Sequence, residues 1–385
     1  VPDLTAKAAR TAASNAGAKV VKTFAYEISG SEQQEIYDIN PDLVLLCGGT
    51  DGGNKEVIIA NAKHLVAIDR PFTTIVAGNK SANDDIKAIF NEAGKDVVIT
   101  ENVMPQFNKL NIEPARDAIR QLFISRIIEA KGLNILQAMT PYKIIPTPLA
   151  VLHACELLSK GTKTQQGRGD LLAVDIGGAT TDVYSMASGE PTVDNTMLKG
   201  LPEPWMKRTV EGDLGMRYSL THVYEQIPGS DNPENEYMQQ VKAWVELCTA
   251  RPDTLAAPGS EEEKLEEFLG RSAVSMAVER HCGRIADVYT PLGLMHTQEG
   301  KDLMNVPSVI GIGGVLRNSR RPEEILKGSL YDFMHPECTK PRKPKFYLDQ
   351  KYIFASMGLL RSINPELAFE LLDKETVEIG CNATV

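Results

Sequence analysis

The stretch Leu171 to Ser185, LLAVDIGGATTDVYS, constrains the fold of this chain more than any other. An apolar run, Leu171 to Val174, ends at Asp175. Ile176, Gly177, Gly178 and Ala179 follow as a small-residue turn, and Thr180, Thr181 and Asp182 lead into a second β-rich segment, Val183 to Ser185. This pattern predicts a hairpin whose tip is nearly bare of side chains, so that its backbone N–H groups can approach an anion. Two carboxylates flank the tip. They would repel a bare phosphate but suit one carried with Mg²⁺, which takes a few oxygen ligands and keeps much of its water. The stretch therefore predicts a metal–nucleotide site, against the plainer reading of a Gly-rich hairpin in a buried sheet with Asp at its turns.

At 385 residues the chain exceeds a single ordinary core, and two α/β lobes are expected. With 51 acidic and 41 basic residues it carries a net charge of −10, so it has no sequence-independent attraction to nucleic acid. No uninterrupted apolar run approaches the roughly 18 to 20 residues that span a bilayer, and no charged-then-apolar leader opens the chain. The expectation is a soluble cytoplasmic protein that engages neither nucleic acid nor membrane. Cys47, Cys155, Cys248, Cys282, Cys338 and Cys381 lie far apart with no C-x-x-C pair, which argues for reduced thiols rather than a zinc site or a disulfide framework. The cobalamin-type pattern Asp-x-His-x-x-Gly is absent.

A β/α alternation fills the first hundred residues. Strands are predicted at Lys19 to Ala25, Asp42 to Leu46, Thr73 to Ala77 and Val97 to Ile99, with helices at Ser31 to Tyr37, Lys55 to Leu65 and Asp84 to Ala93. Such alternation signals a mostly parallel sheet with crossover helices. Gly48, Gly49, Gly52 and Gly53 sit between a strand and a helix N-terminus, where anions often bind, but without the G-x-G-x-x-G spacing a tight βα turn is an equal reading. Asn79 and Asn102 each follow a strand, on the side where α/β proteins place ligands, although Asn also favours turns for local reasons. A helix is predicted over Pro114 to Lys131, a strand over Lys143 to Ile145 and a helix over Leu149 to Ser159; the polar Gly161 to Gly169 linker reads as a hinge or lobe boundary.

Beyond the hairpin, Gly212 to Gly215 reads as a loop before a helix Met216 to Glu225, and the acidic run Glu261 to Glu267 as a solvated surface. A helix Ala273 to Ala286 carries Glu279, Arg280 and His281, the last read as a structural hydrogen-bonder. A second apolar strand, Val309 to Ile312, opens into Gly313 and Gly314, with Arg317 four residues after the first of them. Glycine lets a flat ring approach the backbone, and a guanidinium can stack over it. Thr339 to Lys345 is expected to be a surface loop and Tyr352 to Leu360 an amphipathic block holding Gly358.

Taken together, these stretches resemble the actin, sugar-kinase and heat-shock-chaperone ATPase superfamily, whose fold clamps a nucleotide between two lobes. Asp175 to Asp182 looks like its second phosphate motif and Ile310 to Arg317 like its adenosine motif. Pro146 to Ala150 and Ala355 to Leu360 are similar to its two connecting helices. The resemblance implies a two-lobed, actin-like α/β ATPase with ribonuclease-H-like lobes. Residues 1–168 would form a first lobe with an extra Rossmann-like βαβ segment, and 169–345 a second lobe carrying both motifs. Residues 346–385 would be a C-terminal connecting helix returning to the first lobe.

The implied cofactors are ATP and Mg²⁺. Asp175 would hold Mg²⁺ through water, with Gly177, Gly178 and Thr180 meeting the terminal phosphates and Asp182 bracing the hairpin; Asp175, Thr180 and Asp182 form the catalytic set. Gly313 and Gly314 would lie against the adenosine, Arg317 over the ring, and Glu279 and Arg280 near the ribose. The first phosphate motif, Asp-x-Gly-x-Thr, occurs nowhere upstream of residue 146, and Ala179 replaces the usual third glycine. With a start at Val1, close to a helical pattern, this leads to the expectation of a chain lacking about two to four N-terminal elements, with half its phosphate cradle missing and little ATP hydrolysis of its own.

A closer resemblance spans nearly the whole chain. PDLVLLCGGTDGGN at 41–54, AGN at 77–79, NVMP at 102–105, VDIGGATTDVYS at 174–185, AVERHCG at 277–283 and VIGIGGVL at 309–316 look like the glutamate mutase (methylaspartate mutase) accessory family. That family is called MutL and is unrelated to the mismatch-repair protein of the same name. The resemblance implies an ATP-dependent reactivating chaperone whose partner is an adenosylcobalamin-dependent mutase, using lobe closure to open its client and release damaged cobalamin. Two alternatives are a small-molecule kinase on the same fold, with Asp182 or another carboxylate as base, and a non-enzymatic, actin-like assembly protein.

Overall fold

Three short apolar runs, LVLL, TTIV and VVI, become parallel strands in the computed structural model, which describes residues 2–380 apart from 17, 19, 131–134, 136–137, 143, 201–202, 231 and 292. The chain divides into two units, Val1–Pro146 with Gly200–Pro202, and Thr147–Lys199 with Glu203–Val385. The first unit runs α1 (Pro2–Asn15), α2 (Gly30–Ile39), β1 (Leu43–Leu46), α3 (Glu56–Ala67), β2 (Thr73–Val76), α4 (Asn83–Glu92), β3 (Val97–Ile99) and α5 (Glu113–Ala130). Its sheet has the order β1-β2-β3, all parallel, with Leu43 beside Thr73 and Thr74 beside Val97. The central strand β2 is buried along its whole length because helices cover both faces. Ile36, Ile58, Leu65, Ile86 and Phe90 from α2, α3 and α4 form one core. Ala8, Ala12 and Ala115 from α1 and α5, with Ile119 packed beside Ala13, form the opposite one. Residues 20–25, expected as a strand, have no regular structure, and Ile144 and Ile145 are likewise irregular; Lys19, Lys131 and Lys143, which belonged to predicted elements, lie outside the described residues.

The second unit opens with α6 (Thr147–Lys160), then the hairpin strands β4 (Leu171–Ile176) and β5 (Thr181–Met186), β6 (Thr196–Leu198) and β7 (Met206–Glu211). Helices α7 (Leu220–Glu225), α8 (Glu236–Ala250) and α9 (Glu261–His281) follow, then β8 (Arg284–Thr290), β9 (Gly293–Glu299) and β10 (Ser308–Ile312). The unit closes with α10 (Gly314–Asn318), α11 (Pro322–Leu326), β11 (Lys345–Asp349), α12 (Phe354–Leu360), α13 (Pro365–Glu375) and β12 (Thr376–Ile379). The main sheet has the order β12-β11-β10-β4-β5-β7. β4, β5 and β7 form an antiparallel meander, while β10 and β11 run parallel to β4 and need long crossovers. Alternate residues Leu172, Val174 and Ile176, with Val183, Val309 and Phe346, face a core built by α7, α8 and α9. The intervening residues Ala173 and Asp175 therefore face the other way. A smaller sheet has the order β6-β9-β8. Among the described residues no helix is long and apolar enough to cross a membrane.

Several expectations are corrected by tertiary contacts. The division falls after Pro146, and the elements after residue 346 belong to the same unit as the hairpin rather than to the first one. The Gly161 to Gly169 loop is not built as a hinge: Thr162 and Thr164 donate to Glu366, Arg168 pairs with Asp373, and Ser159 donates to the Gly169 carbonyl. The helix expected over Ala273 to Ala286 starts at Glu261 and stops at His281. Gly283 is pressed so closely against Gly300 and Lys301 that a Cβ would lie 2.8 Å from their backbone atoms, and Arg284 onward pairs with β9 as a strand. The acidic run forms the first turns of α9, where its carboxylates complement the helix dipole, and Glu267 within it is buried against Arg321. Thr339 and Lys340, expected on the surface, are buried: Thr339 donates to the Gly283 and Lys301 carbonyls and Lys340 to Ser275.

Helices α6 and α12 meet at Gly358, where a Cβ would sit 1.8 Å from the Ala150 carbonyl oxygen. Gly358→Ala is therefore expected to cost about 2 kcal/mol through overpacking, read as a shift in the urea midpoint without a change in its steepness. An unchanged midpoint would show that the two helices can part at no cost.

Candidate functional site

The hairpin tip is a turn closed by the Gly177 N–H donating to the Thr180 carbonyl at 2.9 Å. The loop from Gly212 to Ser219 holds the tip from behind. Met216 N–H donates to the Gly177 carbonyl at 3.0 Å, Arg217 and Tyr218 N–H both donate to the Gly178 carbonyl at 2.8 Å, and the Ser219 hydroxyl donates to the Ala179 carbonyl at 2.9 Å. Residues 216–219, expected as the start of a helix, are spent on this clamp, and the helix begins only at Leu220. Gly215 permits the approach, since a Cβ there would lie 2.2 Å from the Ala179 carbonyl carbon.

All three tip carbonyls are thus satisfied, whereas the N–H groups of Gly178, Ala179 and Thr180 donate to nothing among the described residues. Three successive free donors on a clamped turn make an anion-binding concavity. Gly178 itself is not required by the fold. Its backbone is not left-handed, and a Cβ would meet Arg217 at an ordinary 3.7 Å.

Carboxylates line the same edge of the sheet. Asp175 is in register with Asp182 on one side and Ile312 on the other, and Asp349 ends β11, one residue past the Gly311–Leu348 pair. Asp182 is locked by Arg208, whose Nε donates to it at 2.8 Å, and the Thr180 hydroxyl also donates to it at 3.3 Å. Asp349 accepts from the Ile353 and Phe354 N–H groups and so caps α12. Burial, then the neighbouring Asp182 and Asp349, push the Asp175 carboxyl up to about 7, with Arg208 opposing. Burial also raises Asp182 and Asp349. Three carboxylates against two guanidiniums, Arg208 at Asp182 and Arg317 near Asp349, leave this edge one positive charge short. Among the described residues no three His, Cys, Asp or Glu side chains close on one point.

The second glycine pair is brought to the first. Gly313 has φ 99°, and a Cβ on it would lie 2.4 Å from the Ile176 carbonyl oxygen and 2.7 Å from Asp175 Oδ1. Only glycine allows the turn after β10 to press against the hairpin. Gly314 is exposed and, like Gly178, has room for a side chain, its nearest neighbour being Asn318 at 3.8 Å. Arg317 donates through Nε to the Gln350 carbonyl at 3.2 Å and interacts electrostatically with Asp349 and Tyr352. Glu279 and Arg280 are engaged otherwise: Arg280 forks onto Asp213 at 2.8 and 2.9 Å and reaches Glu211 at 2.7 Å, while Glu279 holds Arg284 at 2.7 Å. His281, fully buried between the Ser185 and Thr209 hydroxyls, is a structural hydrogen-bonder.

Sequence reading missed Arg208, Asp349 and Tyr352. Asp349 carried a usable signal, because Phe346 to Leu348 followed by Asp repeats the apolar-run-then-Asp pattern of Leu171 to Asp175. The partnership of Arg208 with Asp182 depends on strand pairing across the meander and has no local signature.

A family model described as MutL protein matches residues 1–376. Over 382 residues the chain is 46% identical to Protein MutL of Clostridium tetanomorphum, an alignment that takes in 98% of this chain and 82% of that protein.

Proposed function

The chain belongs to the MutL protein family, and on that premise we propose that it is an ATP-dependent reactivating chaperone for an adenosylcobalamin-dependent mutase of the glutamate mutase type. The observation that carries the nucleotide part is the clamped hairpin tip with its three free N–H donors. These would hold the terminal phosphates, with Gly178 and Thr180 at the contact and Gly177 closing the turn. Asp175 would hold the hydration shell of Mg²⁺, which when bound supplies charge neutralisation at the phosphates. Gly314 leaves space for the adenosine, and Arg317 stands beside it. The order β7-β5-β4-β10-β11, a meander followed by two parallel strands, supports a ribonuclease-H-like lobe of the actin and sugar-kinase type.

Nucleotide turnover does work on a client only if the client binds the nucleotide states with different affinity. The test is incubation of the chain with a mutase carrying inactive cobalamin. Phosphate release without an acceptor molecule, stimulated by the mutase and accompanied by cobalamin release, is expected. Phosphate transfer to a small hydroxyl compound, indifferent to the mutase, would establish the kinase alternative instead. The geometry disfavours that alternative at Asp182, because Arg208 occupies the carboxylate that would serve as base.

Two substitutions separate the parts of the site. Asp175→Asn is expected to remove the strengthening of ADP binding by Mg²⁺, about tenfold, while leaving metal-free ADP binding in place. Arg317→Ala is expected to weaken ADP and spare inorganic triphosphate, both read by calorimetry. Equal losses for the two ligands would refute a base-stacking role for Arg317.

A further inference from the structure

At the carboxyl ends of β1, β2 and β3 the first unit holds a crevice of about 620 Å³, within the range of small-molecule sites. The loops after all three strands reach it, with Asp51 from the first, Lys80 and Asn83 from the second, and Glu101 and Asn102 from the third. Open α/β sheets place ligands at this edge.

The Gly48 to Gly53 turn on its wall is fixed as firmly as a core element. Asn79, with no exposed surface, accepts from the Gly52 and Ser81 N–H groups and donates to the Gly53 and Asn54 carbonyls. Asn102 donates to the Gly49 carbonyl and to Asp51 Oδ1 and accepts from the Met104 N–H. These two asparagines, candidates for ligand contact by sequence, have their bonding capacity spent on shaping the turn.

What remains unspent on the wall is specific. Asp51 uses Oδ1 for the Lys80 N–H and Asn102, leaving Oδ2 available. The Lys80 ammonium has no ion-pair partner among the described residues, and it precedes α4, whose N-terminal dipole favours an anion. Asn83, in the first turn of that helix, also lines the crevice, but its amide oxygen is shut from solvent and so out of a ligand's reach. One ammonium, Lys80, beside the carboxylates of Asp51 and Glu101 complements an anionic group with a donor next to it.

We propose that this crevice binds a small carboxylate bearing an α-amino or α-hydroxy group, the carboxylate on Lys80 at the start of α4 and the donor on Asp51 Oδ2. The site lies wholly within the first unit and stands independently of the nucleotide reading. The test is hydrogen exchange by mass spectrometry on the whole chain, with glycine, L-alanine, L-aspartate and L-lactate as probes and glycerol as the neutral control. At least one acid is expected to slow exchange over residues 48–54 and 79–85. Lys80→Ala, whose exposed side chain has no ion-pair partner among the described residues, is expected to weaken that protection about tenfold or more with an unchanged melting midpoint, and Lys80→Arg to restore it. Protection by none of the acids, equal protection in Lys80→Ala, or equal protection by glycerol would each overturn the proposal.

Discussion

Gly178→Val is expected to weaken binding of Mg²⁺–ADP on the order of a hundredfold, about 3 kcal/mol, while the melting midpoint of the unliganded chain stays where it is. The reasoning separates two uses of glycine. At Gly313 the backbone is left-handed and a Cβ would strike Ile176 and Asp175, so the fold itself demands the residue. At Gly178 neither holds: the conformation suits any residue, and a Cβ would find an ordinary contact with Arg217. A branched side chain there lies against Arg217 and Tyr218 and crowds the turn that carries the free N–H groups of Gly178, Ala179 and Thr180. Charge-assisted hydrogen bonds to phosphate contribute roughly 1.5–3 kcal/mol each, so denying access to even two of them produces the stated loss. Calorimetry alongside thermal melts reads both quantities. Undiminished binding would remove the tip from the site, and a collapsed melt would show that Gly178 is structural after all.

The second large effect lies in the core, at Lys301. Its side chain has no exposed surface, and its ammonium donates to the Trp205 carbonyl and, at 3.2 Å, to the Ser185 hydroxyl. Burial first, then the neighbouring Lys207, lower its pKa from 10.5 to about 7. The ammonium of Lys207 is itself held by Glu203 and the His281 carbonyl. His281, buried between two hydroxyls, is kept neutral by the same burial and by both lysines.

The sign follows from which state holds more protons. Below about pH 7 Lys301 is charged in both states and the full cost of burying it is present, a ceiling of about 4–5 kcal/mol for a shift of this size. Between about 7 and the unfolded value the unfolded chain holds more protons, so stability climbs with pH. Lys301→Met removes the titrating group but strands the Trp205 carbonyl, so the quantity to measure is the change in the stability gap between the two proteins. That gap is expected to move by about 2 kcal/mol in favour of the wild type between pH 7 and about 8.5, at about 1.4 kcal/mol per pH unit. Urea titrations of both proteins check it. Parallel stability profiles would mean that Lys301 keeps its proton throughout.

The hairpin was legible because it is local: two apolar runs of the right length enclose a turn of small residues, and the strands fall within two residues of the predicted bounds. The parallel sheet of the first unit was legible for the same reason, from the alternation of short apolar runs with helical periods. What failed depends on partners far along the chain. Gly161 to Gly169 has the composition of a hinge, yet Glu366 and Asp373, some two hundred residues on, immobilise it. Lys340 looked solvated until its acceptor, Ser275, came from a helix 65 residues earlier. Arg280, a candidate for a ribose contact by sequence, is likewise paired with distant partners, Glu211 and Asp213. At the candidate site, local sequence displayed the glycines and Asp175, whereas the register that sets Asp182, Asp175 and Ile312 in one row exists only in the folded sheet.

The central claim, that the carboxyl edge of the second sheet is a nucleotide site, is tested most directly by hydrogen exchange with and without Mg²⁺–ADP. The account predicts slowed exchange in one connected set, residues 175–182, 313–318 and 349–354, with the Gly178, Ala179 and Thr180 amides protected most, because these donors have no acceptor among the described residues. Exchange at these three segments that is indifferent to nucleotide, or protection confined to other parts of the chain, would contradict it.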